Sequence, residues 1–148
     1  MVPEITKQYL EVLSGVEEVY DWRAIPDPKE HTGKVVNLRG TISSRVRELQ
    51  ELNNERYGIF VTVNKTDGSG VKKSNITEVR AVWVDIDGVT ELPEVLMPPS
   101  LVVRTKNGFH VYYKLEAGER SVEWSESINR LLASELGGDL NACDAARV

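Results

Sequence analysis

Residues 82–88 of this 148-residue chain, Val-Trp-Val-Asp-Ile-Asp-Gly, constrain its fold more than any other segment. Their β-branched and aromatic beginning is typical of a buried strand. Because side chains alternate along a strand, Asp85 and Asp87 face the same side and Ile86 points into the core. The sequence therefore predicts a sheet strand that carries two carboxylates at its end.

Two carboxylates at one strand end favour a site for a divalent metal. Like charges held close together raise each other's pKa unless a cation lies between them. Mg²⁺ and similar hard cations prefer oxygen ligands, which Asp85 and Asp87 would supply. A solvated turn is the alternative, because Asp and Gly are common turn residues. The buried run before Asp85 favours the metal site.

The composition is that of one globular domain in a reducing compartment. Hydrophobic residues make up 41% of the chain and charged residues 28%, which excludes a disordered or fibrous protein. Cys143 is the single cysteine, and with only His31 and His110 beside it there is no intrachain disulfide and no Cys/His zinc site. No apolar run approaches the roughly 20 residues of a membrane span, so we expect a cytoplasmic protein of the host-cell interior. The 18 basic and 23 acidic residues give a net charge of −5, which argues against coating nucleic acid by bulk charge.

Hydrophobic spacing predicts both helices and strands. Helices are expected from Pro3 up to Gly15, over residues 41–55 and over residues 122–136. Strands are expected over residues 57–63, 76–86, 101–103 and 109–115, with the start of another within residues 139–148. Residues 21–34 are predicted to form a loop anchored by Trp22, Ser43 or Ser44 to cap the second helix, and Leu131 to face the core. This order indicates an α+β fold with a largely antiparallel sheet.

Three classes of enzyme use an Asp-x-Asp strand of this kind. Phosphatases of the haloacid-dehalogenase type begin with a similar motif, but they need a much longer chain beyond it than the 60 residues (148 − 88) that follow Gly88. Nucleotide-sugar transferases place parallel strands before the motif, and the sequence does not predict such strands. Template-directed nucleotidyl transfer is the third class.

Two further motifs follow the Asp-x-Asp strand. His110 begins a strand just after the turn that carries Lys106 and Gly108, so Lys106 and His110 could meet the same anion. A lone strand histidine is more often a structural residue than a ligand. Asp139 follows the last helix and stands eight residues before Arg147, with Asp144 as a rival carboxylate.

Taken in order, Asp-x-Asp, Gly-x-His and the late Gly-Asp resemble the archaeo-eukaryotic primase superfamily. The likeness is greatest to its primase-polymerase (PrimPol) branch, which phages, plasmids and related mobile elements carry. It covers roughly Gly58 to the end of the chain, and it is nearly continuous over residues 58–68, 75–88 and 138–148.

The resemblance implies a fold and a set of site residues. The fold would be an RRM-like palm with a mainly antiparallel sheet flanked by helices, forming a single catalytic domain over residues 1–148. The implied roles are catalysis and metal binding for Asp85, Asp87 and Asp139, nucleotide binding for His110, Arg147 and Lys106, and nucleic-acid binding for Lys72 and Lys73. Asp139 is preferred to Asp144 because the family's third Asp stands eight residues before an Arg.

The resemblance also implies a reaction and its partners. The chain would be a DNA primase and polymerase that transfers NTPs or dNTPs on a single-stranded DNA template during replication of a mobile element. Mg²⁺ or Mn²⁺ would be the cofactor, since two such ions can activate a 3′-hydroxyl and stabilise the leaving pyrophosphate. A helicase or other replication module is a further implied partner.

The sequence departs from the family at its end. Relatives continue beyond the Ala-Arg-Val of residues 146–148 into Leu-Arg-Leu-Pro-Gly and a later Lys, so we expect a domain truncated at its C-terminal end. A catalytically incomplete module that binds nucleotide or nucleic acid is therefore the first alternative function. An Asp-x-Asp phosphohydrolase is a distant second.

Overall fold

A computed structural model of the chain describes residues 1–29 and 32–147. Glu30 and His31, within the predicted loop, and Val148, the last residue of the family likeness, lie outside the described residues. None of the described helices has the length and apolar character that crossing a membrane requires.

The described residues form three helices and eight strands. The helices are Glu4–Leu13 (α1), Ile42–Asn54 (α2) and Val122–Leu136 (α3). The strands are Tyr20–Pro26 (β1), Val36–Gly40 (β2), Tyr57–Val61 (β3), Lys65–Thr66 (β4), Ile76–Glu78 (β5), Ala81–Asp87 (β6), Leu101–Arg104 (β7) and Gly108–Lys114 (β8). They pair antiparallel in three sheets, ordered β2-β1-β3, β4-β5 and β6-β8-β7. The predicted α+β fold with antiparallel sheets is confirmed.

The N-terminal sheet contains a strand that the sequence analysis missed. The loop predicted over residues 21–34 is wrong for its first part, because β1 is the central strand of this sheet. Tyr20 and Trp22 lie in the core with residues of α1 and α2, and the Trp22 indole donates to the Gly40 carbonyl at 3.0 Å. Asp21 lies between them and pairs instead with Arg39 at 2.9 Å. This partly buried ion pair allows an acidic residue within a core strand, so the segment resembles a polar loop in the sequence.

Two other local predictions are corrected. The strand predicted over residues 76–86 is broken, because β5 pairs with β4 whereas β6 pairs with β8. At the break the Arg80 amide donates to the Asn64 side chain at 2.9 Å. The cap of α2 is Thr41, whose hydroxyl accepts from the Ser44 amide at 3.2 Å, rather than Ser43 or Ser44.

The C-terminal sheet has β6 at one edge, and polar groups cover that edge. The Asn129 side chain of α3 accepts from the Trp83 amide at 2.8 Å and donates to the Cys143 carbonyl at 3.3 Å. Residues 139–147, which we call the C-terminal segment, contain a 3₁₀ turn, Leu140–Ala142, and not the predicted strand. An uncovered edge exposes unpaired backbone groups, and Asn129 satisfies one of them, the Trp83 amide.

Polar residues form much of the buried face of α3, although Leu132 and Leu136 pack against the core as expected. Ser125, Glu126 and Asn129 are buried there, with Ala133 beside them, whereas Leu131 is 60% exposed. Periodicity alone places leucine on the buried face, but this helix packs against an edge strand whose backbone needs polar partners.

Replacing Asn129 by Ala removes both hydrogen bonds and leaves a buried N–H and a buried C=O unpaired. We expect Asn129→Ala to lower the free energy of unfolding by about 3 kcal/mol, measured by urea denaturation. The control is Arg130→Ala, which changes the exposed neighbour and should cost within about 0.5 kcal/mol. Equal losses in the two variants would contradict a special role of Asn129.

Gly108 permits the close approach of β8 to β6. A Cβ at this position would lie 1.8 Å from the Ile86 carbonyl oxygen, which is backbone and cannot turn aside. Gly108→Ala should therefore cost about 3 kcal/mol or prevent folding. In the control Gly118→Ala, the nearest atom to the new Cβ is Nη1 at the end of the flexible Arg120 side chain, at 3.2 Å, which can shift; this variant should unfold in urea as the wild type does.

Candidate active site

The pairing of β6 with β8 brings the first Asp of the Asp-x-Asp motif to the histidine. Asp85 and His110 are direct partners in the ladder, and paired residues of neighbouring strands lie on the same face. His110 Nε2 is 3.4 Å from Asp85 Oδ1. The structure therefore joins two motifs that are 25 residues apart (110 − 85) in the sequence.

Arg147 reaches the same carboxylate from the C-terminal segment. Its Nη2 lies 3.5 Å from Asp85 Oδ2, so each oxygen of Asp85 faces a basic side chain. A small cleft surrounds these groups and is lined by Val63, Trp83, Asp85, His110, Tyr112 and Arg147. The site therefore combines one acidic and two basic groups with an aromatic wall.

The Asp85 carboxylate lacks part of its hydrogen bonding. Its side chain is 10% exposed, and Oδ1 has no hydrogen-bond donor among the described residues. Leaving a buried anionic oxygen without a donor is costly, so the site suits a bound cation. In this respect the site fits the metal that the sequence predicts.

Asp87 supplies the second carboxylate but does not complete a metal site. It ends β6 opposite Gly108, is exposed, and lies on the same strand face as Asp85. Within residues 1–29 and 32–147, no three His, Cys, Asp or Glu side chains are arranged to hold a metal ion. Metal binding by Asp85, Asp87 and Asp139 stays a prediction.

The two rivals for the third carboxylate have different surroundings. The Asp139 amide donates to the Asp85 carbonyl at 2.7 Å, which places Asp139 beside the site, and its Oδ1 caps the following turn through the Asn141 amide at 2.8 Å. In Asp144, Oδ1 accepts from the Ala146 amide at 2.8 Å and Oδ2 lies 3.3 Å from Lys73 Nζ. The contact with Asp85 is made by the Asp139 backbone, and Asp139 as the third carboxylate stays a prediction.

The three predicted lysines lie on turns. Lys106 is exposed on the turn between β7 and β8. The next residue of this turn, Asn107, accepts a hydrogen bond from the Gly88 amide through its carbonyl at 2.7 Å. Lys72 is exposed before the 3₁₀ turn Lys73–Asn75. Lys73 pairs with Glu126 at 2.7 Å as well as with Asp144. Among the described residues, Asp85 contacts His110, Arg147 and Asp139. No contact of the described residues links Asp85 to any of these lysines.

Tyr112 is a cleft residue to which the sequence analysis gave no role. Its hydroxyl lies 3.5 Å from His110 Nδ1, and the Tyr9 ring of α1 packs edge-on against its ring at 5.8 Å. Burial raises the pKa of Tyr112, so its hydroxyl stays protonated at neutral pH. Strand alternation was the available signal, because it places Tyr112 on the same face as His110.

Comparisons with known proteins identify the fold. No family model and no curated protein match the sequence. The AEP domain of the cyanophage S-2L primase-polymerase is similar with a TM-score of 0.75 and 18% identity, over 94% of this chain and 75% of that chain.

Two structures of primase RepB′ are also similar. The first has a TM-score of 0.71 and 18% identity over 96% of this chain, which spans only 46% of that chain. The second, the catalytic domain in complex with initiator DNA, has a TM-score of 0.69 and 19% identity over 95% of this chain and 70% of that chain. The chain therefore has the fold of archaeo-eukaryotic primase catalytic domains of the primase-polymerase type, as the order of its motifs predicts.

Proposed function

We propose that this chain is a primase-polymerase domain that transfers nucleotides to a growing strand on single-stranded DNA. The observation that carries the proposal is the buried Asp85 carboxylate, which faces His110 and Arg147 and has one oxygen without a donor. A triphosphate with its divalent cation brings a cation for Asp85 and an anion for His110 and Arg147. The primase-polymerase fold supports the same function.

Asp85, Asp87 and Asp139 would hold the divalent ions: Asp85 and Asp87 supply carboxylate oxygens at the end of β6, and the Asp139 amide bonds to the Asp85 carbonyl. Mg²⁺ or Mn²⁺ suits such an oxygen donor set. Bound there, the ions would activate the 3′-hydroxyl and stabilise the leaving pyrophosphate.

The basic residues would bind the triphosphate. Arg147 has a planar guanidinium that can form bidentate hydrogen bonds with phosphate. His110 presents Nε2 to the same site from β8. Both groups now face Asp85, so a nucleotide would exchange these contacts for contacts with phosphate oxygens. Lys106 would add positive charge from the turn before β8.

Lys72 would contact a DNA phosphate, since it is exposed and no ion pair of the described residues engages it. Nucleic-acid binding is supported by the neighbour whose structure contains initiator DNA. A helicase or other replication module remains a proposed partner.

The second candidate function is a module that binds nucleotide or nucleic acid without catalysis. The observation that favours it is that the Asp139 carboxylate is already engaged, since its Oδ1 accepts from the Asn141 amide at 2.8 Å. Metal-dependent incorporation separates the two functions, because a binding module would retain nucleotide yet extend no primer.

Neutralising Asp85 should abolish activity and leave the domain folded. We expect Asp85→Asn to lower labelled-nucleotide incorporation on single-stranded DNA, with Mg²⁺ or Mn²⁺, by about 10³-fold or more, as losing charge stabilisation at a reacting centre does. The variant should still unfold cooperatively, because the His110 and Arg147 side chains that lose the carboxylate are 36% and 44% exposed and can be solvated.

The control for this test is Glu94→Gln, which removes an exposed carboxylate and should incorporate nucleotide as the wild type does. Incorporation by Asp85→Asn would contradict the catalytic assignment. Folded wild-type protein that binds nucleotide without incorporating it would favour the binding module.

Truncating Arg147 should weaken nucleotide binding. We expect Arg147→Ala to raise the Kd for MgATP or MgdATP by about tenfold, since a hydrogen bond to a charged group contributes about 1.5–3 kcal/mol. Isothermal titration calorimetry measures the change, and Arg47→Ala, at a side chain that is 92% exposed, is the control. An unchanged Kd in Arg147→Ala would exclude Arg147 from the nucleotide site.

A further inference from the structure

The C-terminal segment, residues 139–147, carries Arg147 to the site without strand pairing. Side chains from distant parts of the chain bond to its backbone instead. The Trp83 indole donates to the Ala142 carbonyl at 3.1 Å, and Asn64 donates to the Ala145 carbonyl at 3.0 Å. Glu126 Oε1 accepts from the Ala145 amide at 3.0 Å. The position of Arg147 therefore depends on residues outside the segment.

Lys73 joins two of these supports. Its ammonium lies 2.7 Å from Glu126 Oε1, the same oxygen that accepts from the Ala145 amide, and 3.3 Å from Asp144 Oδ2. The Glu126 side chain is only 10% exposed, so Lys73 compensates a nearly buried charge. The hydrogen bond to Glu126 is the main reason that the pKa of Lys73 is raised.

Asp144, three residues before Arg147, contacts both Lys73 and Arg147. The Arg147 amide donates to the Asp144 carbonyl at 3.1 Å, and the Asp144 carboxylate accepts from the Ala146 amide. Asp144 thus begins the turn from which Arg147 reaches Asp85. The Lys73 ammonium, 3.3 Å from the Asp144 carboxylate, therefore contacts the residue at which this turn begins.

We propose that Lys73 is a positioning residue for Arg147, acting through Glu126 and Asp144, and that it does not bind phosphate or template itself. The inference rests on the proposed function, because Arg147 has a nucleotide to bind only if that function is correct. Lys73 belongs to residues 65–78, which comprise β4, the 3₁₀ turn and β5 and which we call the hairpin. The hairpin thereby supports the nucleotide side of the site.

A ligand-free measurement tests the contact itself. Backbone amide hydrogen exchange should become about two- to fivefold faster at Ala145 and Ala146 in Lys73→Met, since a half-exposed ion pair stabilises by an amount of this size. Lys73→Arg should restore the wild-type rates. Lys65→Met, which removes the same charge from the same hairpin, should leave them unchanged. Unchanged exchange in Lys73→Met would overturn the inference, whether or not the protein binds nucleotide.

A double-mutant cycle then tests the route through Arg147. Calorimetry with MgATP and MgdATP, without DNA, should give Lys73→Met a Kd raised about two- to fivefold. On an oligo(dT) template with labelled ATP or dATP, KM should rise and kcat should stay the same. In an Arg147→Ala background, Lys73→Met should have no further effect.

The outcomes separate the two proposals. An equal loss from Lys73→Met with and without Arg147 would mean that Lys73 contacts the nucleotide directly, which overturns the positioning role. If wild-type protein binds neither nucleotide, the proposed function fails, and the hydrogen-exchange result still decides whether Lys73 holds the segment.

Discussion

The hydrogen bonds at the outer edge of β6 determine where the candidate site lies. The Asn129 side chain accepts a hydrogen bond from the Trp83 amide, and the Asp139 amide donates one to the Asp85 carbonyl. No regular strand supplies these bonds, so an irregular segment can lie against the edge and turn a side chain toward Asp85. A strand added at the same edge would use these backbone groups in a regular ladder. The polar face of α3 therefore serves both the fold and the site.

Asp85 shows how the site differs from an ordinary core position. The other residues of β6 before Asp87 are all apolar and buried. Asp85 is buried among them, with one carboxylate oxygen that lacks a hydrogen-bond donor. Arg147 offsets the charge from a distance of 3.5 Å, at the long limit of a hydrogen bond. Such a carboxylate is poorly satisfied in the free protein and would be better satisfied by a cation, so the arrangement favours ligand binding over stability.

The sequence predicted the parts of the site that depend on local pattern. Strand alternation predicted that Asp85 and Asp87 share a face, and the turn before His110 correctly marked the start of β8. Prediction failed where a distant residue decides the structure. Asp21 is tolerated in β1 because Arg39 pairs with it, and α3 buries Asn129 because the edge of β6 needs it. Periodicity contains no information about such partners. For the same reason the sequence does not show that Lys73 pairs with Glu126.

The hydrogen bond between the Asp139 amide and the Asp85 carbonyl also has a consequence for synthesis of the chain. Because the C-terminal segment follows β6, β8 and α3 in the sequence, the ribosome synthesises both strands before it. During that interval the edge of β6 is open, and Asp85 has no arginine near it. The nascent domain can therefore form its sheets while its site is still unassembled, and the C-terminal segment then closes an edge that other strands could otherwise join.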